Sequence, residues 1–300
     1  MPFYLYSSTY NLVEIQNNFY TNVAIKPLYI KYYGKSIDAR CKERNEVCHN
    51  SELLKIMKNT PPTKNSLIKK SLAKRKKKFY ITNSYWKKAL QHLSSKQDAF
   101  RFSQFITLVD LSKQVLVLVL WDNDTKTFHP IGFDFISSGN INKEIKTNTG
   151  EDHYLKTPSG LFGIQSGWRS DGKILDDNVT MPYGQKNTYV FYFGKQKSIR
   201  YNTFDKNGNK IKDTNKWELI TDKLQLALHA HKSSAPLGKP NSHGCIRISN
   251  ELNHFLDNNL VFFKELYNNK KEWKHSYNKP PKEPKNYQFA GKYLFVLDSM

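Results

Sequence analysis

From Phe102 to the C-terminus the chain is punctuated into short apolar runs at 104–110, 114–121, 131–137, 161–166, 188–193, 217–219, 224–230 and 292–297, separated by Gly, Asn and Asp. Runs of this length bounded by turn formers read as β-strands. A succession of them with few helical stretches restricts this region to a mainly β fold, a sandwich or barrel. "VLVLVLW" at 115–121 is the most apolar run. It falls far short of the roughly 18 to 20 apolar residues of a membrane span, so it predicts a buried strand and no transmembrane segment.

Two helices frame the strands. "NSYWKKALQHL" places Trp86, Ala89, Leu90 and Leu93 at helical spacing behind Ser84 as a cap, an amphipathic helix suited to pack on the domain that follows. After Ser249, a second cap with Glu251 in the first turn, Leu252, Phe255, Leu256 and Leu260 recur with the same period. Asp257 and Glu251 on that helix are expected to be solvated. A polar, Pro- and Lys-rich connection follows at 268–288, and "GKYLFVLD" supplies a closing strand at 292–297. The expected organisation is a basic, partly helical N-terminal region, 1–100, followed by a mainly β domain, 101–300.

The 300 residues carry a net charge of +21. Residues 1–100 hold 19 Lys and Arg against 6 Asp and Glu, concentrated in "IKKSLAKRKKKF" at 68–79. Such a run is a solvated basic segment that attracts anionic polymers; a Lys- and Asn-rich composition inherited from an AT-rich genome gives the same balance without a partner. No zinc-finger spacing and no aromatic RNA-binding signature accompanies it, so nucleic acid is not an expected partner. Cys41 and Cys48 are spaced to close a small disulfide loop or to remain two thiols, which leaves Cys245 as the odd cysteine. "MPFYLYSSTY" contains no basic-then-apolar export leader.

The chemistry concentrates in "SHGCIRIS", residues 242–249. A cysteine nucleophile needs a base and backbone N–H groups aimed at the oxyanion its attack creates. In "KLQLALHAH" Leu224, Leu226 and Leu228 alternate with Gln225, Ala227, His229 and His231, so His229 projects from the less apolar face at a strand end. The turn-rich "KSSAPLGKPN" between them can fold the chain back to bring His229 to Cys245. Gly244 permits the backbone geometry for its own N–H and that of Cys245 to point at one carbonyl oxygen, and Arg247 offers a fork for a carboxylate. The rival chemistry is zinc, for which His229, His231, His243 and Cys245 are permissible ligands. The close-spaced cysteine pair of a structural zinc site is missing.

"LHAHKSSAPLGKPNSHGCIRIS" resembles the signature of the YkuD-type L,D-transpeptidase catalytic domain. The likeness extends upstream in the family's order: "VDLSKQVLVLVL" resembles its entry strands, "SSGN" with "TPSGLFGI" its Gly and Thr-Pro-x-Gly-x-Phe segments, and "MPY" at 181–183 its substrate-side strand. The resemblance implies a β-sandwich and a cysteine enzyme acting, without cofactor or metal, on peptidoglycan stem peptides. By motif match Cys245 attacks the carbonyl between the stem's third residue and its terminal D-Ala, with His229 as general base and acid and the Ala230 carbonyl orienting its ring. His243 and Ser242 line the pocket, Gly244 and Cys245 donate to the oxyanion, and Tyr183 and Arg247 face the substrate.

Two features depart from the pattern. His231 stands where the family has a turn residue, and about 25 polar residues, 194–218, read as an insertion on the acceptor side. Transfer of the acyl group to an amine makes the chain a transpeptidase, and transfer to water an L,D-carboxypeptidase. A non-catalytic wall-binding protein that uses its basic region is the third reading. The enzyme readings place the protein in the periplasm or cell wall, and so imply a sequence trimmed of its export segment.

Overall fold

The computed structural model describes residues 10–33, 62–142, 155–164, 166–232, 237–264 and 286–300. Cys41, Cys48 and all but the last few residues of the 268–288 connection lie outside the described residues. By compactness the chain divides into Met1–Tyr80 and Ile81–Met300.

In the first unit α1 (Leu12–Tyr20) begins at Asn11, whose side chain accepts from the Glu14 N–H at 3.1 Å. It continues through one π-type segment, Thr21–Ile25, into α2 (Lys26–Tyr33). Ile15, Phe19, Val23, Ala24 and Ile25 form its buried stripe. The basic run forms α3 (Pro62–Lys78), which has no acidic residue in its first turn and ends in Arg75, Lys76, Lys77 and Lys78. Cations at that end complement the helix dipole. Tyr32 Oη and Ser71 Oγ, 2.9 Å apart, tie α2 to α3.

The second unit opens with α4 (Asn83–Ser94). Its cap is Thr82, not Ser84: Thr82 is extended (φ −78°, ψ 162°) and accepts from the Tyr85 N–H at 3.1 Å, while Ser84 is already inside the helix. Tyr85, Ala89 and Leu93 are its buried residues, with Trp86 and Leu90 half-buried at the border.

The strands β1 (Gln104–Asp110), β2 (Val115–Asp122), β3 (Thr127–Phe135), β4 (Gly160–Gly163) and β9 (Tyr293–Leu297) form one sheet in the order β3-β2-β1-β9-β4. β9 runs parallel to β1 and antiparallel to β4, so the closing strand seals the middle of the sheet. Every residue of β1 and β2 is buried, as in strands covered on both faces. A second sheet has the order β5-β6-β7-β8, from β5 (Ser166–Arg169), β6 (Tyr189–Asn202), β7 (Glu218–Ala230) and β8 (Ile246–Ile248). The rings of Phe162 on β4 and Phe193 on β6 meet across the sheets at 5.2 Å.

Three strand expectations change. The run 161–166 is split between β4 and β5, which belong to different sheets. The runs 217–219 and 224–230 are one strand, and most of the supposed polar insertion is the outer part of a long β6–β7 hairpin, paired from Phe191–Leu228 to Asn202–Glu218. Its residues are mostly exposed or half-buried, and the one buried in its outer part, Ser198, is polar, so neither face carries the apolar signal that marks a strand in sequence. "MPY" forms a bridge and a turn: Met181 pairs with Lys232, Pro182 has no N–H to continue a ladder, and Gly184 turns the chain at φ +77°.

α5 (Asn250–Asn258) starts at Ser249, whose Oγ accepts from the Leu252 N–H at 3.0 Å and donates to Asp134 Oδ2 at 2.6 Å. Asn253 satisfies both the N–H and the carbonyl of Tyr189 at 2.8 and 2.7 Å. Asp257, expected in solvent, is buried and gripped by both terminal nitrogens of Arg169 on β5 at 2.8 and 3.1 Å. The arginine reaches it because β5 brings residue 169 beside a helix 88 positions later.

Candidate functional site

In the second sheet, residues paired across neighbouring strands share a face and alternate along each strand. Trp168 pairs with Val190, Tyr192 with Ala227, and His229 with Arg247. Period two then puts Trp168, Tyr192, Ala227, His229 and Arg247 on one face, with Cys245, two residues before Arg247, on the same side. One position before the Leu228–Ile246 pair, Cys245 stands beside Ala227. The opposite face carries Arg169, Tyr189, Phe191, Leu228 and Ile246, and there the Phe191 ring packs on Phe262 at 5.0 Å.

The loop before β8 is held from below. After β3 the chain continues to Ser137, which exchanges backbone hydrogen bonds with Arg247 at 2.9 Å each way. The Ser138 carbonyl accepts from the N–H groups of Asn241 and Ser242, both at 2.9 Å. Ser138 itself is clamped by the Gln114 side chain at 2.9 and 2.7 Å. Ser242 is fully buried; its hydroxyl accepts from the Gly244 N–H at 3.2 Å and donates to the Cys245 carbonyl. That oxygen therefore shapes the loop, and does not present itself to a ligand.

Gly244 sits at φ +110°, where a side chain is strained, and a Cβ would also press Leu226 at 3.2 Å. Its carbonyl accepts from Thr157 Oγ1 at 2.7 Å, and Thr157 Oγ1 accepts from the Gly139 N–H at 2.8 Å. A Cβ on Gly139 would meet the Leu155 carbonyl and lie 2.9 Å from the Gly244 Cα. The "SSGN" and "TPSG" segments thus converge under the cysteine loop.

His229 is 5 % exposed, and its Nδ1 lies 2.8 Å from the Ala230 carbonyl oxygen. A carbonyl can only accept, so Nδ1 carries the proton and Nε2 presents a lone pair. Burial, with the charges of Arg247 and His231 adding, holds the His229 pKa at about 4 against an ordinary 6.5. Burial likewise raises the Cys245 thiol above its ordinary value, opposed by the Ala227 hydrogen bond and by Arg247. At neutral pH the Cys245 thiol and the His229 imidazole are both neutral.

Tyr183 is 42 % exposed and its ring lies 5.2 Å from that of His229. Burial, Cys245 and Tyr192 raise its phenol pKa. His231 also has a pKa held at about 4, chiefly by burial, and its Nδ1–H donates to the Pro182 carbonyl at 3.1 Å, fixing the turn that carries Tyr183. The Arg247 guanidinium spends one nitrogen on the Asn241 carbonyl at 2.6 Å. His243 is exposed on the loop. Among the described residues no three His, Cys, Asp or Glu side chains are grouped to hold a metal.

Trp168 and Tyr192 are absent from the sequence reading of the site. The Trp168 ring lies 5.0 Å from Tyr183, and its Nε1–H donates to Tyr192 Oη at 2.9 Å. Only cross-strand register brings them here.

Residues 104–269 match the family model YkuD, the L,D-transpeptidase catalytic domain. The chain belongs to this family. Similar solved structures include an L,D-transpeptidase from Xylanimonas cellulosilytica at 16 % identity and TM-score 0.29, with 65 % of this chain and 61 % of that one covered. The Bdellovibrio bacteriovorus protein Bd1075 is similar at 19 % identity and TM-score 0.31, covering 66 % of this chain and 49 % of that one. The helical cell shape determining protein Pgp2 from Campylobacter jejuni is similar at 14 % identity and TM-score 0.30, with coverages of 66 % and 49 %. The chain thus spans between about half and three fifths of the length of these structures. A comparison with curated proteins gave no match. The YkuD match takes in β1 to α5 and includes both Cys245 and His229.

Proposed function

We propose that the chain is a cysteine-dependent L,D-transpeptidase acting on peptidoglycan stem peptides. The observation that carries this reading is the placement of His229 on β7 and of Cys245 at the residue just before the adjacent parallel strand β8, on the same side of the sheet, with the imidazole tautomer set by Ala230 so that Nε2 is the basic nitrogen.

In this reaction His229 Nε2 takes the Cys245 proton as sulfur attacks the carbonyl between the third stem residue and the terminal D-Ala. The oxyanion is met by the Cys245 N–H and by the Gly244 N–H once its 3.2 Å contact to Ser242 yields. The proton passes to the departing D-Ala amine, leaving a thioester. An acceptor amine then attacks, His229 takes its proton, and the thiol is restored. Water in place of the amine gives the tripeptide, the carboxypeptidase outcome. No cofactor enters either half-reaction. Tyr183 and Arg247 are assigned to the substrate side, and His243 to the mouth of the site.

This substrate places the protein in the periplasm or cell wall; among the described residues no helix is long and apolar enough to cross a membrane. The exposed lysines of α3, Lys69, Lys70, Lys74, Lys76, Lys77 and Lys78, would add a salt-sensitive attraction to anionic wall polymers.

The test is intact-protein mass spectrometry after mixing with a disaccharide-tetrapeptide. The expected result is a thioester adduct that raises the protein mass by that of the fragment less one D-Ala, on wild type and none on Cys245→Ala. Absence of the adduct on wild type, together with no acylation by a carbapenem, would instead favour a wall-binding protein.

A further inference from the structure

Tyr192 and Cys245 flank Ala227 from opposite sides. Tyr192 is paired with Ala227 across β6–β7, and Cys245 stands beside Ala227 on the β8 side, one position before the Leu228–Ile246 pair. Two strand spacings put their backbones about 10 Å apart, and the side chain between them is a methyl group. The Ala227 methyl is itself buried, while Tyr192 and Cys245 to either side of it are half-buried, so the phenol is within reach of a peptide acylating Cys245.

Tyr192 is held in place for such a peptide. The Trp168 indole can only donate, so in the 2.9 Å contact the Tyr192 oxygen accepts and keeps its own proton to give. Trp168 is itself braced by the Tyr183 ring at 5.0 Å, and Tyr183 by His229 at 5.2 Å. Nothing in the cysteine or histidine motifs contains Trp168 or Tyr192.

We propose that Tyr192 is a substrate-binding residue that donates a hydrogen bond to an acceptor oxygen, carboxylate or carbonyl, of the donor stem peptide, and that Trp168 is the positioning residue that aims it. The assignment rests on the peptidoglycan reading of the same site. Tyr183 supplies the exposed outer wall, and the Trp168–Tyr192 pair the inner one.

The test separates binding from turnover. In a Cys245→Ala background, tetrapeptide binding is measured by calorimetry with Tyr192 intact and with Tyr192→Phe, Trp168→Phe and both. Tyr192→Phe is expected to raise Kd about 10-fold, the loss of one good hydrogen bond. Trp168→Phe, which keeps an aromatic ring against Tyr183, is expected to raise it less, and the double variant no more than Tyr192→Phe alone. With Cys245 present, Tyr192→Phe is expected to raise KM about as much as it raises Kd and to change kcat at most about twofold. Unchanged Kd in Tyr192→Phe, additive losses in the double variant, or no binding of the peptide at all would overturn the proposal. Binding that depends on Tyr192 in a protein that releases no D-Ala would uphold it and overturn the transferase reading.

Discussion

Cys245 and His229 are both neutral because burial pushes the thiol up and the imidazole down. A preformed thiolate would alkylate at a rate that levels off in mild acid. Here the iodoacetamide rate of Cys245 is expected to keep rising above pH 8, and a plateau below pH 7 would contradict the neutral pair. The acid limb of kcat/KM follows the imidazole and is expected near pH 4 instead of near 6.5. Substitution of His229 by Ala is expected to lower kcat/KM by about 10²- to 10⁴-fold. The placement of these two residues was legible in sequence: alternation along "LQLALHAH" gave the face of His229, and Gly244 marked the turn beside Cys245. Tyr192 was not, because in "YVFYFG" it reads as one more apolar strand residue, and its meeting with Trp168 depends on register.

Between elements, the Arg169–Asp257 pair fastens β5 to α5 with both side chains largely covered, 14 % and 7 % exposed. Burial raises the Asp257 pKa even against the arginine that lowers it. Arg169→Ala leaves a buried carboxyl without its partner and is expected to cost about 3 to 5 kcal/mol in urea unfolding. Arg169→Met with Asp257→Leu is expected to recover most of that loss, and equal losses for the two variants would contradict the unpaired Asp257 carboxyl as the source of the cost. Gly244→Ala, at φ +110° and pressed on Leu226, is expected to cost about 1 to 3 kcal/mol. Sequence located α5 and its Ser249 cap because the apolar period was unbroken. It missed Asp257's partner, which arrives from a distant strand, and the outer β6–β7 hairpin, whose two solvated faces erase the pattern that betrays a strand.

The molecule as a whole should lose stability in mild acid. His229 and His231 bind protons in the unfolded chain as pH falls through 6.5, but in the fold only near 4. Stability is therefore complete above 6.5 and declines from 6.5 to 4 by up to about 1.4 kcal/mol per pH unit for each histidine. The urea midpoint of wild type is expected to fall between pH 7 and 5 more steeply than that of His231→Gln; parallel curves would contradict this. The mainly β architecture was legible because β1 and β2 of the first sheet are buried along their whole length, β2 as a nearly unbroken apolar run. The compact division at Tyr80 follows contacts that composition does not register, since the basic texture continues through Lys87 and Lys88 into α4. The most direct measurement is mass analysis of the products formed from disaccharide-tetrapeptide by wild type and Cys245→Ala. A cross-linked dimer with loss of one D-Ala, formed by wild type alone, is the expected result. Unaltered tetrapeptide with wild type, or the same dimer with Cys245→Ala, would contradict a Cys245-dependent L,D-transpeptidase.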